Sequence, residues 1–224
     1  MLTVACVWVR SEIFDSVDWV WKLYRMVDRR MGMVHRPFKF VCITPHVEEF
    51  SGYDWVVAFP PSMVIPPKEV KKHWWKLNLF ALPGDQVLYF DLDVVIMKSI
   101  VPLIEFPSDF CVAPSSGVPM RGHDFNSSVM SWKPKSEVVL RINTLITEHF
   151  GRKPVYEQFA GDQQWLSSLP IRVDLFPSKW ISKYLPKGGI KHPDPDVIVS
   201  LLIQGGKNRQ LIENGHTWIA DYWR

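Results

Sequence analysis

Between Gln86 and Met97 the chain reads QVLYFDLDVVIM, two apolar runs with Asp91 and Asp93 caught between them. Apolar runs of this length and β-branched content belong to strands buried on both faces. The acids are therefore forced to a point where a buried strand ends. Burying either charge unpaired costs several kcal/mol or forces it to protonate, and two together repel. A divalent cation resolves the conflict, because Mg²⁺ and Mn²⁺ accept carboxylate and diphosphate oxygens at once. Residues i and i+2 of an extended segment share a face. Both carboxylates then reach one ion at the carboxyl end of a strand, where open α/β sheets bind ligands. The plainer alternative is that the two acids cap a turn at the sheet edge; the apolar flanks on both sides favour metal binding.

The segments around this pair alternate in period. Thr3–Val9, Phe38–Ile43, Trp55–Phe59 and Gln86–Phe90 read as strands. Asp15–Arg30 carries apolar residues at Val17, Val20, Trp21, Tyr24 and Val27, a helical spacing with basic residues at the end where they favour the dipole. Residues 68–82 read as helix, closed by Pro83-Gly84. Val94–Met97, Phe110–Ala113, Asn126–Trp132 and Ile198–Ile203 supply further strands. Ser136–Phe150 (with Ser136 as N-cap), Gly161–Leu169 and Lys207–Ile212 supply helices. Strands alternating with helices predict an α/β fold: one Rossmann-like domain over 1–224, with a mostly parallel central sheet flanked by helices.

Composition narrows the class. With 47% hydrophobic and 22% charged residues, long disorder is excluded. A net charge of +3 is too small to argue for nucleic acid. No basic residue precedes the apolar start Met1–Val9 and no small-residue cleavage site follows it, which predicts no signal peptide. The later apolar runs are too short to span a bilayer. Three widely spaced cysteines, Cys6, Cys42 and Cys111, suit a reducing, cytoplasmic setting, with a place peripheral to a membrane left open. Eleven tryptophans predict a large aromatic core; Trp74, Trp75, Trp132 and Trp165 read as core, and Trp180, Trp218 and Trp223 as candidate stacking surfaces.

The segment Leu88–Ile96 (LYFDLDVVI) resembles the DxD segment of GT-A-type, nucleotide-sugar-dependent glycosyltransferases. More matches follow in the same order. Trp75-Lys76-Leu77 through Phe80 resembles a W-x-K-L-x-x-F helix, and Phe125–Met130 (FNSSVM) resembles an F-N-S-G-V-M strand. Gly161-Asp162-Gln163 resembles a G-D-Q motif. Trp180 with Ser182–Tyr184 resembles a W…S-Y-K element. The tail, Val197–Lys207 then Trp218 to Trp223, resembles a terminal strand, an H-G loop and a W…W ending. The likeness is greatest to small bacterial and viral members related to family 8.

The resemblance implies a nucleotide-binding half over 1–100, a sugar- and acceptor-binding half over 101–224, and roles residue by residue. Asp91 and Asp93 would hold Mn²⁺ or Mg²⁺, with Asp91 also near the ribose beside Leu92. Lys76 would neutralise the diphosphate or touch the donor sugar. Asn126 and Ser127 would bind sugar hydroxyls, and Asp162 and Gln163 would lie beside the anomeric carbon. Ala5, Val7 and Trp8 would meet the base and ribose through backbone groups. Gln204 stands where the family places a metal-binding His, so metal dependence is in question; His192 and His216 are the imidazoles that might replace it. Gly205 and Lys207 would face the diphosphate, since exposed N–H groups at a helix start favour anions.

The expected activity is hexosyl transfer from a nucleoside-diphosphate sugar, UDP-linked, to a glycan or lipid-linked acceptor, metal-assisted and retaining. Two other classes stay open. One is a non-catalytic nucleotide-sugar or glycan-binding protein. The other is a metal-dependent nucleotidyl or phosphoryl transferase, which would need Asp85 or Glu105 to converge on the acid pair. Asp162 might also be a plain helix cap, and Asn126 a satisfied strand end.

Overall fold

The computed structural model describes residues 1–31, 37–67, 72–115, 125–150, 155–184, 194–202, 208–213 and 215–223. Its strands are β1 (Leu2–Val7), β2 (Phe38–Ile43), β3 (Val57–Phe59), β4 (Gln86–Phe90), β5 (Val94–Ile96), β6 (Phe110–Pro114), β7 (Phe125–Trp132), β8 (Asp174–Leu175), β9 (Ile181–Tyr184) and β10 (Val199–Leu202). The helices are α1 (Asp18–Met31), α2 (Val101–Ile104), α3 (Glu137–Phe150), α4 (Val155–Gln158), α5 (Asp162–Ser168), α6 (Asn208–Glu213) and α7 (Trp218–Trp223).

The described strands form two sheets. The larger runs β3-β2-β1-β4-β7-β6-β8, and a smaller one runs β5-β10-β9. β1 pairs parallel with β2 and β4, while β7 runs antiparallel between β4 and β6. Strands from both halves of the sequence therefore share the large sheet.

Period-two alternation divides two cores across this sheet. Leu2, Val4, Cys6, Leu88 and Phe90 pack on one face with α1, the small sheet and α7. Ala5, Val87, Tyr89, Phe110 and Trp132 pack on the other with residues 72–81, α3 and α5. Helix α1 buries Val20, Leu23, Met26, Val27 and Met31, each contributing roughly 1.5–3 kcal/mol. The aromatic Trp21, assigned to that stripe by spacing, instead stands 38% exposed.

Three expectations need correction. Residues Lys72–Ala81 form a 3₁₀ helix, not an α-helix. At three residues per turn, Trp74, Leu77 and Phe80 align on the core side, Trp74 against Phe150 and Tyr156, Phe80 against Phe110 and Trp132. Ser136 precedes α3, but its hydroxyl donates to the Lys133 carbonyl (2.8 Å). Trp218 and Trp223 are buried, at 2% and 8% exposure, and are core rather than stacking platforms.

The fully buried Asn78 holds the 3₁₀ segment to the loop before it. Its Oδ1 accepts from the Met63 and Val64 amides (2.8 and 2.9 Å), and its Nδ2 donates to the Val64 and Trp75 carbonyls (2.7 and 3.1 Å). Replacing it orphans buried backbone groups. Asn78→Ala is expected to lower the unfolding free energy in urea by about 2–4 kcal/mol at unchanged m-value; a loss under about 0.5 kcal/mol would show that these bonds are not holding the segment.

Candidate active site

The acid pair lies where the chain leaves one sheet for the other. The Asp91 amide donates to the Ser128 carbonyl (2.8 Å), extending the β4–β7 ladder by one bond. Val94–Ile96 then pairs antiparallel with β10 in the small sheet. To cross between sheets the chain must bend, and Leu92 and Asp93 form a turn. The expected extended i, i+2 geometry is thus replaced by a turn. The turn still couples the two acids, since the negative charge of Asp91 is felt at Asp93.

Lys76 stands over this turn. It lies on the 3₁₀ segment three residues after His73, and the eclipsed i, i+3 positions put both side chains on one line. Lys76 Nζ is 2.9 and 3.1 Å from the two Asp91 oxygens, 3.4 Å from Ser127 Oγ and 3.9 Å from Asp162 Oδ2. A Cβ at Gly161 would lie 3.5 Å from the His73 ring, so the same line abuts the start of α5. The Tyr89 hydroxyl also donates to Asp91, and the Lys76 ammonium lies 5.6 Å from the Tyr89 ring centroid.

Strand β7 supplies the third wall. Its pairing with β6 shifts between Val112 and Ala113, an irregularity that frees Ser127 from the ladder. Ser127 Oγ donates to Asp162 Oδ2 (2.9 Å), and its amide donates to Gln163 Oε1 (3.2 Å). Asp162 is therefore tied to β7 by its side chain; the residue before the helix is Gly161, so Asp162 is not the N-cap. Asn126 Oδ1 accepts from the Ser128 amide (2.7 Å), the plain strand-end role.

The charges explain the titration behaviour. Burial pulls the Lys76 ammonium down, but the carboxylates of Asp91, Asp162 and Asp93 outweigh it and its pKa is raised. Burial pushes Asp91 up; the Lys76 charge and hydrogen bonds from Tyr89, Lys76 and Ser128 win, and it is lowered. At Asp93 the Lys76 charge and a backbone hydrogen bond act the same way but are outweighed. Burial and then the charge of Asp91 raise it to about 7.

The structure brings together Lys76, Asp91, Asp93, Ser127, Asp162 and Gln163, with Asn126 beside them and Leu92 buried in the turn. The first strand ends nearby. Ala5 is paired on both sides, to Val41 and Tyr89, so its backbone is committed to the ladder. Val7 reaches the carboxyl edge half-buried, while the Trp8 side chain is fully buried and donates to the Phe14 carbonyl (3.2 Å). Gln204, Gly205, Lys207 and His192 lie outside the described residues. His216 is engaged by the Tyr184 hydroxyl (2.5 Å) in the small-sheet core. Asp85 pairs with the N-terminal amine at the far end of β4 and Glu105 is exposed, so neither converges on the acid pair. Sequence reasoning supplies neither Tyr89 nor His73 as a site residue, because the line that joins His73 to Lys76 depends on the 3₁₀ winding.

A cavity of about 500 Å³ opens elsewhere, lined by Asp109, Lys133, Arg172 and Asp174. These pair among themselves, Lys133 with Asp109 and Arg172 with Asp174. The carboxylate cluster, rather than cavity size, marks the site.

No family model and no curated protein matches this chain. Solved structures do. The galactosyltransferase LgtC, in complex with donor and acceptor sugar analogs, superposes with a TM-score of 0.67 at 14% identity over 99% of this chain and 95% of that one. The chain has the GT-A glycosyltransferase fold. Glycosyltransferase GlyE of Streptococcus pneumoniae shares it at a TM-score of 0.54 and 13% identity, over 98% of this chain and 50% of that one. Mouse xyloside xylosyltransferase 1 does so at 0.53 and 11%, over 88% and 96%.

Within this GT-A fold the Asp93 shift has a measurable consequence. Its folded pKa lies above the ordinary carboxylate value of 3.8. The folded state then holds an extra proton between the two values, and the stability this confers is lost as pH rises towards and through 7. In EDTA, the Tm advantage of Asp93→Asn over the parent protein is expected to grow by about 5–15 °C between pH 4 and pH 8. A pH-independent difference would show that Asp93 carries no buried charge.

Proposed function

We propose that this protein is a retaining glycosyltransferase that moves a hexosyl group from a UDP-linked sugar to a hydroxyl of a glycan or lipid-linked acceptor, with Mn²⁺ or Mg²⁺ as cofactor. The observation that carries the reading is the cluster at the end of β4. Three carboxylates, Asp91, Asp93 and Asp162, formally face one ammonium, Lys76. Two negative charges are left over, a deficit that a divalent cation fits. The donors fit too, since carboxylate oxygens are the ligands these hard cations take.

Asp93, free of hydrogen-bond donors from other side chains among the described residues, is the natural first ligand, with Asp91 the second. Gln204 would complete the set as a carbonyl oxygen, and Gly205 and Lys207 would meet the diphosphate. The bound cation would supply Lewis-acid stabilisation to the departing diphosphate. Lys76 holds Asp91 in position and keeps a positive charge at the reaction centre. As the anomeric bond opens, the sugar becomes oxocarbenium-like. Ser127 fixes Asp162 and Gln163 where a negative edge and an amide dipole can favour that charge more in the transition state than in the ground state.

Asp162 is a poor base for the acceptor. Its side chain is 4% exposed and already accepts from Ser127. With that carboxylate committed, the leaving phosphate is the base at hand, which favours retention over inversion. LgtC has been solved as a glutamine-to-glutamate active-site mutant, and Gln163 is the residue proposed to fill the corresponding place. No helix among the described residues is long and apolar enough to cross a membrane.

The test is turnover. With UDP-sugars and Mn²⁺, Asp93→Ala is expected to cut UDP release by about 100-fold or more while Tm in EDTA is unchanged or raised. Asp162→Asn should lower kcat by about 10- to 1000-fold with little change in donor affinity. Full activity in Asp93→Ala would remove the metal-assisted reading.

A further inference from the structure

Three aromatic side chains crowd the outer edge of the domain, where α1 meets the segment before β3. Trp21 and Tyr53 are 38% and 42% exposed, and Trp55 between them is half-buried. The Trp21 and Trp55 ring centroids are 4.9 Å apart, those of Tyr53 and Trp55 5.6 Å. Together with Val17 and Asp18 they line a cleft of about 270 Å³. Keeping large apolar rings in water side by side forgoes burial that the core next to them could have used. The cluster is also rigid. Tyr24 packs on both tryptophans at 5.5 and 4.9 Å, and the Arg25 guanidinium lies 5.7 Å from the Trp21 ring centroid.

We infer that this cleft is a carbohydrate-binding site, separate from the reaction centre, that stacks a pyranose ring of an oligosaccharide on Trp21 and Tyr53 and takes a sugar hydroxyl on the Asp18 carboxylate. The ring geometry selects this ligand. The Trp21 and Trp55 planes are inclined by 55° and those of Tyr53 and Trp55 by 54°, at 4.9 and 5.6 Å, so the rings form a twisted aromatic surface whose neighbouring faces are too close to enclose a cation, which argues against an ammonium cage. Such a surface presents negative π faces to the weakly positive C–H groups of a pyranose. The cleft falls just below the ~300–1,000 Å³ of sites for drug-sized ligands, a size for one ring rather than a peptide helix. The chemistry of the rim agrees. Asp18 lines the cleft, and Asp15 and Asp54 are exposed near it in sequence. Carboxylates accept from sugar hydroxyls and repel phosphates. Among the described residues no hydrogen bond of the chain engages the Trp21 or Trp55 indole N–H or the Tyr53 hydroxyl, so these polar ends are available to a ligand.

The site lies apart from the catalytic cluster. In the order β3-β2-β1-β4, three strand spacings separate β3 from β4, about 14 Å across the sheet. A glycan chain held here is fixed by a ring that does not react. The inference goes beyond the transfer reaction and does not require it.

Saturation-transfer NMR and tryptophan fluorescence, with linear hexasaccharides of glucose, galactose and N-acetylglucosamine as probes, test it. At least one probe is expected to bind with Kd below about 10 mM. Trp21→Ala should weaken it by about ten-fold, Tyr53→Phe by less than about two-fold, and Asp18→Asn by an intermediate factor. Tm should hold in Tyr53→Phe and Asp18→Asn, while Trp21→Ala, which also gives up packing on Tyr24 and Trp55, is expected to lower it by a few degrees and stay folded. Asp93→Ala should leave this binding intact, which separates a failure here from a failure of the proposed reaction. No binding by any probe, binding indifferent to Trp21→Ala, or binding lost in Asp93→Ala would overturn the inference. So would concentration-dependent self-association abolished by Trp21→Ala without saccharide binding.

Discussion

The Lys76 ammonium is the interaction on which the site's assembly rests. A buried cation is costly unless anions and hydrogen-bond acceptors surround it, and here they arrive from three distant stretches of sequence. Asp91 comes at the end of β4, Ser127 from the irregular part of β7, and Asp162 from the first turn of α5. Without the lysine, Asp91 and Asp162 would repel across the cluster, against the Ser127 bonds and the Trp165 and Leu166 packing that hold α5. The 3₁₀ winding of residues 72–81 makes the arrangement possible. It puts Trp74, Leu77 and Phe80 into the core on one line and His73 and Lys76 on another, facing α5.

One lysine does not balance three acids, and the remainder falls on Asp93. Its neighbours on the chain are buried apolar residues, Leu92 and Val94, so the turn cannot move it fully into water. Strain of this kind is tolerated where it serves a ligand. On the proposed reading the cluster is incomplete on its own and complete with a divalent cation, which is the opposite of what stability alone would select.

Sequence reading located β2 and β4 to the residue, because both are apolar runs bounded by turn formers. It also placed Asp91, Asp93, Asp162 and Lys76 among the residues of interest. It did not find that Lys76 pairs with Asp91, since ion pairing at a sequence separation of 15 depends on the winding of the helix between them. Apolar spacing alone does not distinguish 3.0 from 3.6 residues per turn over ten residues. The two-residue β8 was missed because its pairing with β6 is decided by tertiary position, not by Asp174-Leu175 themselves. The tryptophans inverted expectation for a related reason. Trp218 and Trp223 looked terminal and exposed, yet the chain end folds back into the core, whereas Trp21 fell on a helical stripe but faces water.

That fold-back bears on the site. Strand β5 begins one residue after Asp93, and the Trp223 indole donates to the Val94 carbonyl (3.4 Å). Trp223 packs edge-on to Trp19 of α1, while Trp218 packs on Tyr184 of β9. The same β5 pairs with β10, so the residue after Asp93 is held by a ladder on one side and by the last helix on another. The position of a carboxylate at residue 93 is therefore set by side chains 130 residues later. A turn between two sheets has no ladder of its own to fix it, and this clamp supplies the rigidity that a metal ligand needs.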